Sequence, residues 1–170
     1  MNISGGICSE DDYPYVSGES EASGECKTDC LKDSHTIPKS FTEVERSCDA
    51  CLVAAIAKQP VAVAIEADHR EFQLYKSGVF TAKCGSNLDH GVLAVGYGET
   101  DDGVKYYKVN YLTMPCNSFY LLILFQVKNS WGAAWGMDGY ILLERGGSSD
   151  HEQTRGKCGI LLGPPLYPNL

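Results

Sequence analysis

The chain has 170 residues, 14 basic and 22 acidic side chains, and a formal charge of -8. With no basic stripe to neutralise phosphates, this balance argues against nucleic acid as a partner. A hydrophobic share of 44% and a charged share of 21% exclude a disordered chain and suit one globular domain or a large part of one.

In chain order, residues 1–34 are turn-rich, with Gly5-Gly6, Tyr13-Pro14-Tyr15 and a polar run from Ser17 to Asp33, and read as loop pinned by cysteines. Phe41 to Lys58 reads as helix, capped by Thr42 with Glu45 three residues on, and ended by Pro60. Val61-Ala62-Val63-Ala64-Ile65 is a short β-branched run and predicts a buried strand. Asp68 to Leu74 suggests a helical turn, and Gly78-Val79-Phe80 an extended piece. The apolar run Gly91 to Gly98 predicts a central strand, and Val104 to Lys108 a second one after a polar turn, together an antiparallel hairpin. Gly139 to Arg145 predicts a further strand. The tail from Gly163 to Leu170 carries three of the seven prolines and predicts an extended surface segment. The fold class expected is α+β: a helix with short strands, then an antiparallel sheet or barrel.

Eight cysteines point to an oxidising compartment and structural disulfides. The competing reading is zinc held by Cys26-x-x-x-Cys30 and Cys48-x-x-Cys51, but no His lies near either pair at ligand spacing, and no metal or cofactor is expected. Residues 1–6 have neither the basic nor the apolar region of an export signal, so the true N-terminus is expected to lie upstream.

His90 stands at the mouth of a strongly apolar strand, a rigid position that still reaches the surface, with Gly91 leaving room for a close neighbour. Asn129 lies in Val127-Lys128-Asn129-Ser130-Trp131-Gly132, at the end of what should be another strand. A cysteine nucleophile needs a base to hold it as thiolate, an acceptor to orient that base and donors for an oxyanion. His90 and Asn129 fit the base and its orienter, and a neighbouring Trp can shield their hydrogen bond from water. His35, His69 and His151 read as surface residues without a role.

Five stretches, in order, resemble the papain-like cysteine proteases. They are Gly5-Gly6-Ile7 with Tyr13-Pro14-Tyr15; Gln59-Pro60-Val61; Phe72-Gln73-Leu74-Tyr75 to Gly78-Val79-Phe80; Asp89-His90-Gly91 through Val95-Gly96-Tyr97-Gly98; and Lys128 to Gly132 with Trp135-Gly136 and Gly139-Tyr140. The resemblance implies the papain-like fold, chiefly its antiparallel, barrel-like lobe bearing the His and Asn, over residues 41–170, with residues 1–40 as interlobe and left-lobe wrap. It implies His90 as catalytic His, Asn129 as its partner, and Trp131 and Trp135 as active-site support. It implies a Cys84–Cys158 disulfide, worth about 3–5 kcal/mol on the chain-entropy model. Ala64, Leu88 and Gly163 fall where the family lines its main specificity pocket, so an apolar or aromatic side chain is expected two residues before the scissile bond. Asp89 is counted with the substrate-binding residues; a Cys–His–Asn system does not need it as acid or base. The partners implied are peptide and protein substrates, protease inhibitors and the complementary N-terminal lobe. The location implied is lysosomal, vacuolar or extracellular.

Two departures stand out. The family's Cys-Gly-Ser-Cys-Trp type segment and the oxyanion-hole Gln before it do not occur; Cys84-Gly85-Ser86 imitates its start, but Asn87 follows. The expectation is an endopeptidase family member that is inactive in this form, the alternatives being a non-catalytic homologue that binds peptides or inhibitors and a pseudogene fragment. Second, Val109 to Gln126 splits a strand, and its apolar run Phe119 to Phe125 is too short for a membrane span, which takes about 20 residues. A translated, unspliced intron is one reading, since removing the stretch joins Tyr106-Tyr107-Lys108 to Val127-Lys128-Asn129; a genuine surface insertion is the other. Abundant mRNA carrying all 18 codons in frame would rule against the intron.

Overall fold

The computed structural model describes residues 12–14, 16, 25, 39–110, 134–146 and 150–169. The expectations for the cysteine-pinned N-terminal loop, Asn129, Trp131 and residues 111–126 lie outside these ranges. The elements are β1 (Ser40–Glu43), α1 (Asp49–Ile56), β2 (Val61–Ile65), α2 (Arg70–Gln73), β3 (Val79–Phe80), β4 (His90–Glu99), β5 (Lys105–Asn110), β6 (Tyr140–Glu144), α3 (Asp150–Arg155), a 3₁₀ turn (Lys157–Gly159) and β7 (Leu166–Asn169). Among the described residues the strands make one sheet in the order β1-β7-β2-β4-β5-β6-β3. Neighbouring strands run antiparallel except the β3–β6 pair, which is parallel.

The centre follows from alternation. In β2, Val61, Val63 and Ile65 are buried while Ala62 and Ala64 are half-buried on the other face. Val63 pairs opposite Val92, and Tyr107 opposite Leu143, so β2, β4, β5 and β6 turn one apolar face inward. Leu52, Ala55 and Ile56 of α1 join that core. Thr100 closes the β4–β5 hairpin, accepting the Val104 N–H on Oγ1 (3.0 Å) and the Gly103 N–H on its carbonyl (2.9 Å). Gly103 at φ +80 takes the left-handed position that the turn requires. The register shifts between Ala94 and Gly96, a bulge that twists the hairpin beyond the site end of β4. Val109 and Asn110, the first two residues of the unusual stretch, complete β5 opposite Ile141 and Tyr140.

Two expectations are corrected. The helix begins at Asp49, not at Phe41. Phe41 to Glu43 form a strand edge-paired with Pro168 to Leu166, and the Thr42 hydroxyl is engaged by Asn169 rather than by a helix N-terminus. Ser47 at φ 53 breaks the backbone before the helix, and Cys48 Sγ accepts the Cys51 N–H as the cap (3.2 Å). The tail is extended as expected but is not a surface segment. It is strand β7, with Pro165 fully buried and Pro168 buried, because β1 and β2 need a partner along that edge.

α1 is tied to the sheet by charge. Arg145 at the end of β6 donates from Nη2 to Asp49 Oδ2 (2.7 Å) and from Nε to Oδ1 (3.1 Å), a bidentate pair, and the Tyr107 hydroxyl also donates to Asp49. Burial alone would raise the Asp49 carboxyl, but these donors hold it below its ordinary range. Burial pushes the Tyr107 hydroxyl far up, and the adjacent carboxylate adds to it. A second pair anchors the 3₁₀ turn: buried Lys157 reaches Glu144 at 3.0 Å and the Thr81 carbonyl at 3.2 Å.

Candidate active site

His90 occupies the last rung of the β2–β4 ladder, opposite Ile65. The residues before it form a short segment, Cys84 to Asp89, and three attachments fix that segment to the end of β2. The first is covalent. Cys84 is bonded to Cys158, closing a sequence separation of 74, as the family resemblance implied. The second is the Glu66 carboxylate, only 6% exposed. Its Oε1 accepts the Gly85 N–H at 3.1 Å, its Oε2 accepts the Asn87 N–H, and His69 Nε2 lies 2.6 Å from Oε1. The third is reciprocal: Asp89 N–H donates to the Ile65 carbonyl (3.1 Å), while Asp89 Oδ1 accepts the Ala67 N–H (2.8 Å). Glu66 N–H, in turn, donates to the Cys158 carbonyl at 2.8 Å, tying the disulfide to the same strand end.

These bonds set the electrostatics. The Asn87 N–H is the largest influence on Glu66; together with His69 and the Gly85 N–H it holds the carboxyl below its ordinary value against the opposing effect of burial. His90 is half-buried, with Nε2 screened from solvent. Burial lowers its pKa from 6.5, and the Asp89 charge opposes this. By itself the site therefore presents a neutral imidazole near neutral pH, the form that takes up a proton.

Beside His90 the structure brings together three of the residues expected from sequence to bind substrate. A Cβ added at Gly163 would lie 3.1 Å from Ala64 Cβ and 3.3 Å from Leu88 Cδ1. Gly163 is buried, Ala64 half-buried and Leu88 36% exposed, so an apolar floor opens outward. Glycine at 163 keeps that space free. Asp89, counted with this group from sequence, spends Oδ1 on Ala67 and serves the backbone. Trp135 sits in an aromatic cluster, its ring centroid 5.6 Å from Phe72 and 5.7 Å from Tyr75, with Nε1 donating to the Gln73 carbonyl (2.9 Å). Asn129 and Trp131 lie outside the described residues.

Sequence reasoning missed Glu66 and gave His69 no role. The available signal was an acid directly following a buried β-branched strand, where a carboxylate must find donors or stay costly. Among the described residues, two groups could present metal-ligating atoms within 4.8 Å, Glu45–Cys48–Cys51 and Glu66–Asp68–His69. In the first the two sulfurs are bonded to each other, and in the second Glu66 is filled by N–H donors.

The family model described as papain family cysteine protease matches residues 1–162. Cysteine endopeptidase RepA of Oryza sativa subsp. japonica is 41% identical over 93% of this chain and 35% of that protein. Oryzain beta chain of the same rice is 42% identical over 93% of this chain and 28% of that protein. The chain thus spans about a third of the length of these relatives. The solved structure of the bromelain protease from Ananas comosus, in complex with an inhibitor, is 38% identical with a TM-score of 0.74, over 97% of this chain and 63% of that one.

Glu66→Gln keeps the shape but offers one carbonyl oxygen to two backbone donors. It is expected to cost about 1–3 kcal/mol in urea unfolding at pH 7. Because the folded carboxyl is depressed, its contribution is present above the unfolded value near 4.5 and is lost as pH falls through the folded one. The penalty should therefore shrink below that window; a penalty equal at pH 7 and pH 3 contradicts the clamp. For His90, the ring-proton NMR titration of the chain is expected below 6.5, and it should rise when a thiolate is placed opposite the ring. A midpoint unmoved by the thiolate contradicts its role as the base.

Proposed function

Because the chain belongs to the papain family of cysteine proteases, we propose that it carries the base-bearing lobe of a cysteine-type endopeptidase, a thiol protease that hydrolyses peptide bonds. The observation that supports this most is the adjacency of His90, fixed on the last rung of the β2–β4 ladder, to the open apolar floor of Ala64, Leu88 and Gly163. In this reading a cysteine thiolate attacks the peptide carbonyl, His90 gives its proton to the leaving amine, and water then hydrolyses the thioester. Asn129 orients the imidazole and Trp131 covers the pair. The apolar floor takes an apolar or aromatic side chain two residues before the scissile bond.

None of the four described cysteines in disulfides, Cys48, Cys51, Cys84 and Cys158, is free to be the nucleophile. No Cys-x-x-Cys-Trp segment stands in the sequence, and on this reading these 170 residues need that segment to cleave peptides. The same observation favours a second reading, a homologue that binds peptides or inhibitors without turnover. Two disulfides suit a vacuolar, lysosomal or extracellular setting. No described helix is long and apolar enough to cross a membrane.

The test joins the chain to the nucleophile-bearing segment of its rice relative. The chain alone should not cleave peptides. The joined protein should cleave, faster with Phe than with Arg two residues before the scissile bond, and His90→Ala should lower kcat by about 10²–10⁴-fold. A folded joined protein that binds the peptide without turnover would establish the binding reading instead.

A further inference from the structure

Cys48 and Cys51 form a disulfide across only three residues, at the start of an eight-residue helix. We propose that this pair is a thiol–disulfide exchange site that takes dithiols as its substrate, distinct from the structural Cys84–Cys158 bridge and independent of peptide hydrolysis.

The two disulfides among the described residues differ in the ways that govern exchange. Cys158 is 1% exposed and Cys84 half-buried, and their bridge closes a sequence separation of 74. Cys48 and Cys51 are both half-buried, and theirs closes a separation of three. A short loop restricts the unfolded chain less, so the Cys48–Cys51 bond adds less to stability and opens with less loss of structure. The helix has other anchors, since Leu52, Ala55 and Ile56 are buried and Asp49 is gripped by Arg145 and Tyr107.

The surroundings also divide the sulfurs by role. Cys48 is the helix cap, with Sγ accepting the Cys51 N–H at 3.2 Å. An N–H donor at a helix N-terminus favours a thiolate there. Cys51 packs against the core, and the Glu45 carboxylate lies 3.7 Å from its sulfur, where it disfavours an anion and can accept a thiol proton. Asp49, between the cysteines, is compensated by Arg145 and so opposes a Cys48 thiolate less.

In the exchange, a thiolate of an external dithiol attacks Cys48 Sγ. The S–S bond breaks and Cys51 leaves, taking a proton from solvent. The second thiolate of the dithiol then attacks its partner sulfur in the mixed disulfide and displaces Cys48, held by the Cys51 N–H. The dithiol is oxidised by two electrons to a disulfide, the protein bond is reduced to two thiols, and the two protons lost by the one are gained by the other.

The test uses the folded 170-residue chain with increasing dithiothreitol at pH 7, trapping with iodoacetamide and peptide mass mapping. Cys48 and Cys51 should be labelled together while Cys84 and Cys158 remain joined. With single variants, Cys48 in Cys51→Ser should alkylate about tenfold faster than Cys51 in Cys48→Ser. The proposal is overturned if both disulfides open together, if Cys48–Cys51 opens only in urea, or if the two variants react at equal rates. Should a variant fail to fold, the trapping result with the unaltered chain decides.

Discussion

The candidate site depends on one buried carboxylate being satisfied. Glu66 leaves the end of β2 pointing into the protein, where an unpaired charge would cost several kcal/mol. The segment that precedes His90 supplies the donors, Gly85 N–H and Asn87 N–H, with His69 alongside. Satisfying Glu66 therefore selects one path for residues 84–89. That path delivers Leu88 to the apolar floor, Asp89 to the Ala67 N–H and His90 to its rung opposite Ile65. The Cys84–Cys158 bond restrains the same path covalently, and the backbone bond from Glu66 to Cys158 links the two restraints.

Away from this end, the lobe is held by a different logic. The sheet buries one apolar face, and charged pairs lock the pieces that alternation alone leaves loose. Asp49 with Arg145 and Tyr107 seats α1, and Lys157 with Glu144 and the Thr81 carbonyl seats the 3₁₀ turn. Trp135, Phe72, Tyr75 and Phe80 form an aromatic block where β3 meets β6. The half-buried Cys48–Cys51 bond lies outside these restraints, at the cap of α1, which is why it can be opened with the core intact.

Reading outward from the strands succeeded where period and composition agreed. Val61–Ile65 and the Gly91–Gly98 run stand where their apolar, β-branched character placed them, and the hairpin strand from Lys105 where alternation did, because burial on one face imposes the two-residue period. The reading of Phe41–Lys58 failed at its start because a capping pattern is local, whereas the Thr42 hydroxyl was claimed by Asn169, 127 residues away. The tail failed similarly: prolines suggested surface, but Pro165 and Pro168 have no N–H to leave unsatisfied and pack where the edge of β2 needed cover.

The sequence by itself determined the kind of site: His90 at a strand mouth, small or apolar residues at 64, 88 and 163, a cysteine pair at 84 and 158, and the ordered motifs that mark the family. Those are properties of residue type and spacing, and they survive without coordinates. Only the tertiary structure decided that Ala64, Leu88 and Gly163 meet within van der Waals reach, that Asp89 Oδ1 accepts the Ala67 N–H, and that Glu66 governs the loop between them. The reason is physical. Donors for a buried carboxylate and neighbours for a glycine come from chain segments as far apart as residues 64 and 163, and no local pattern records which distant segment will supply them.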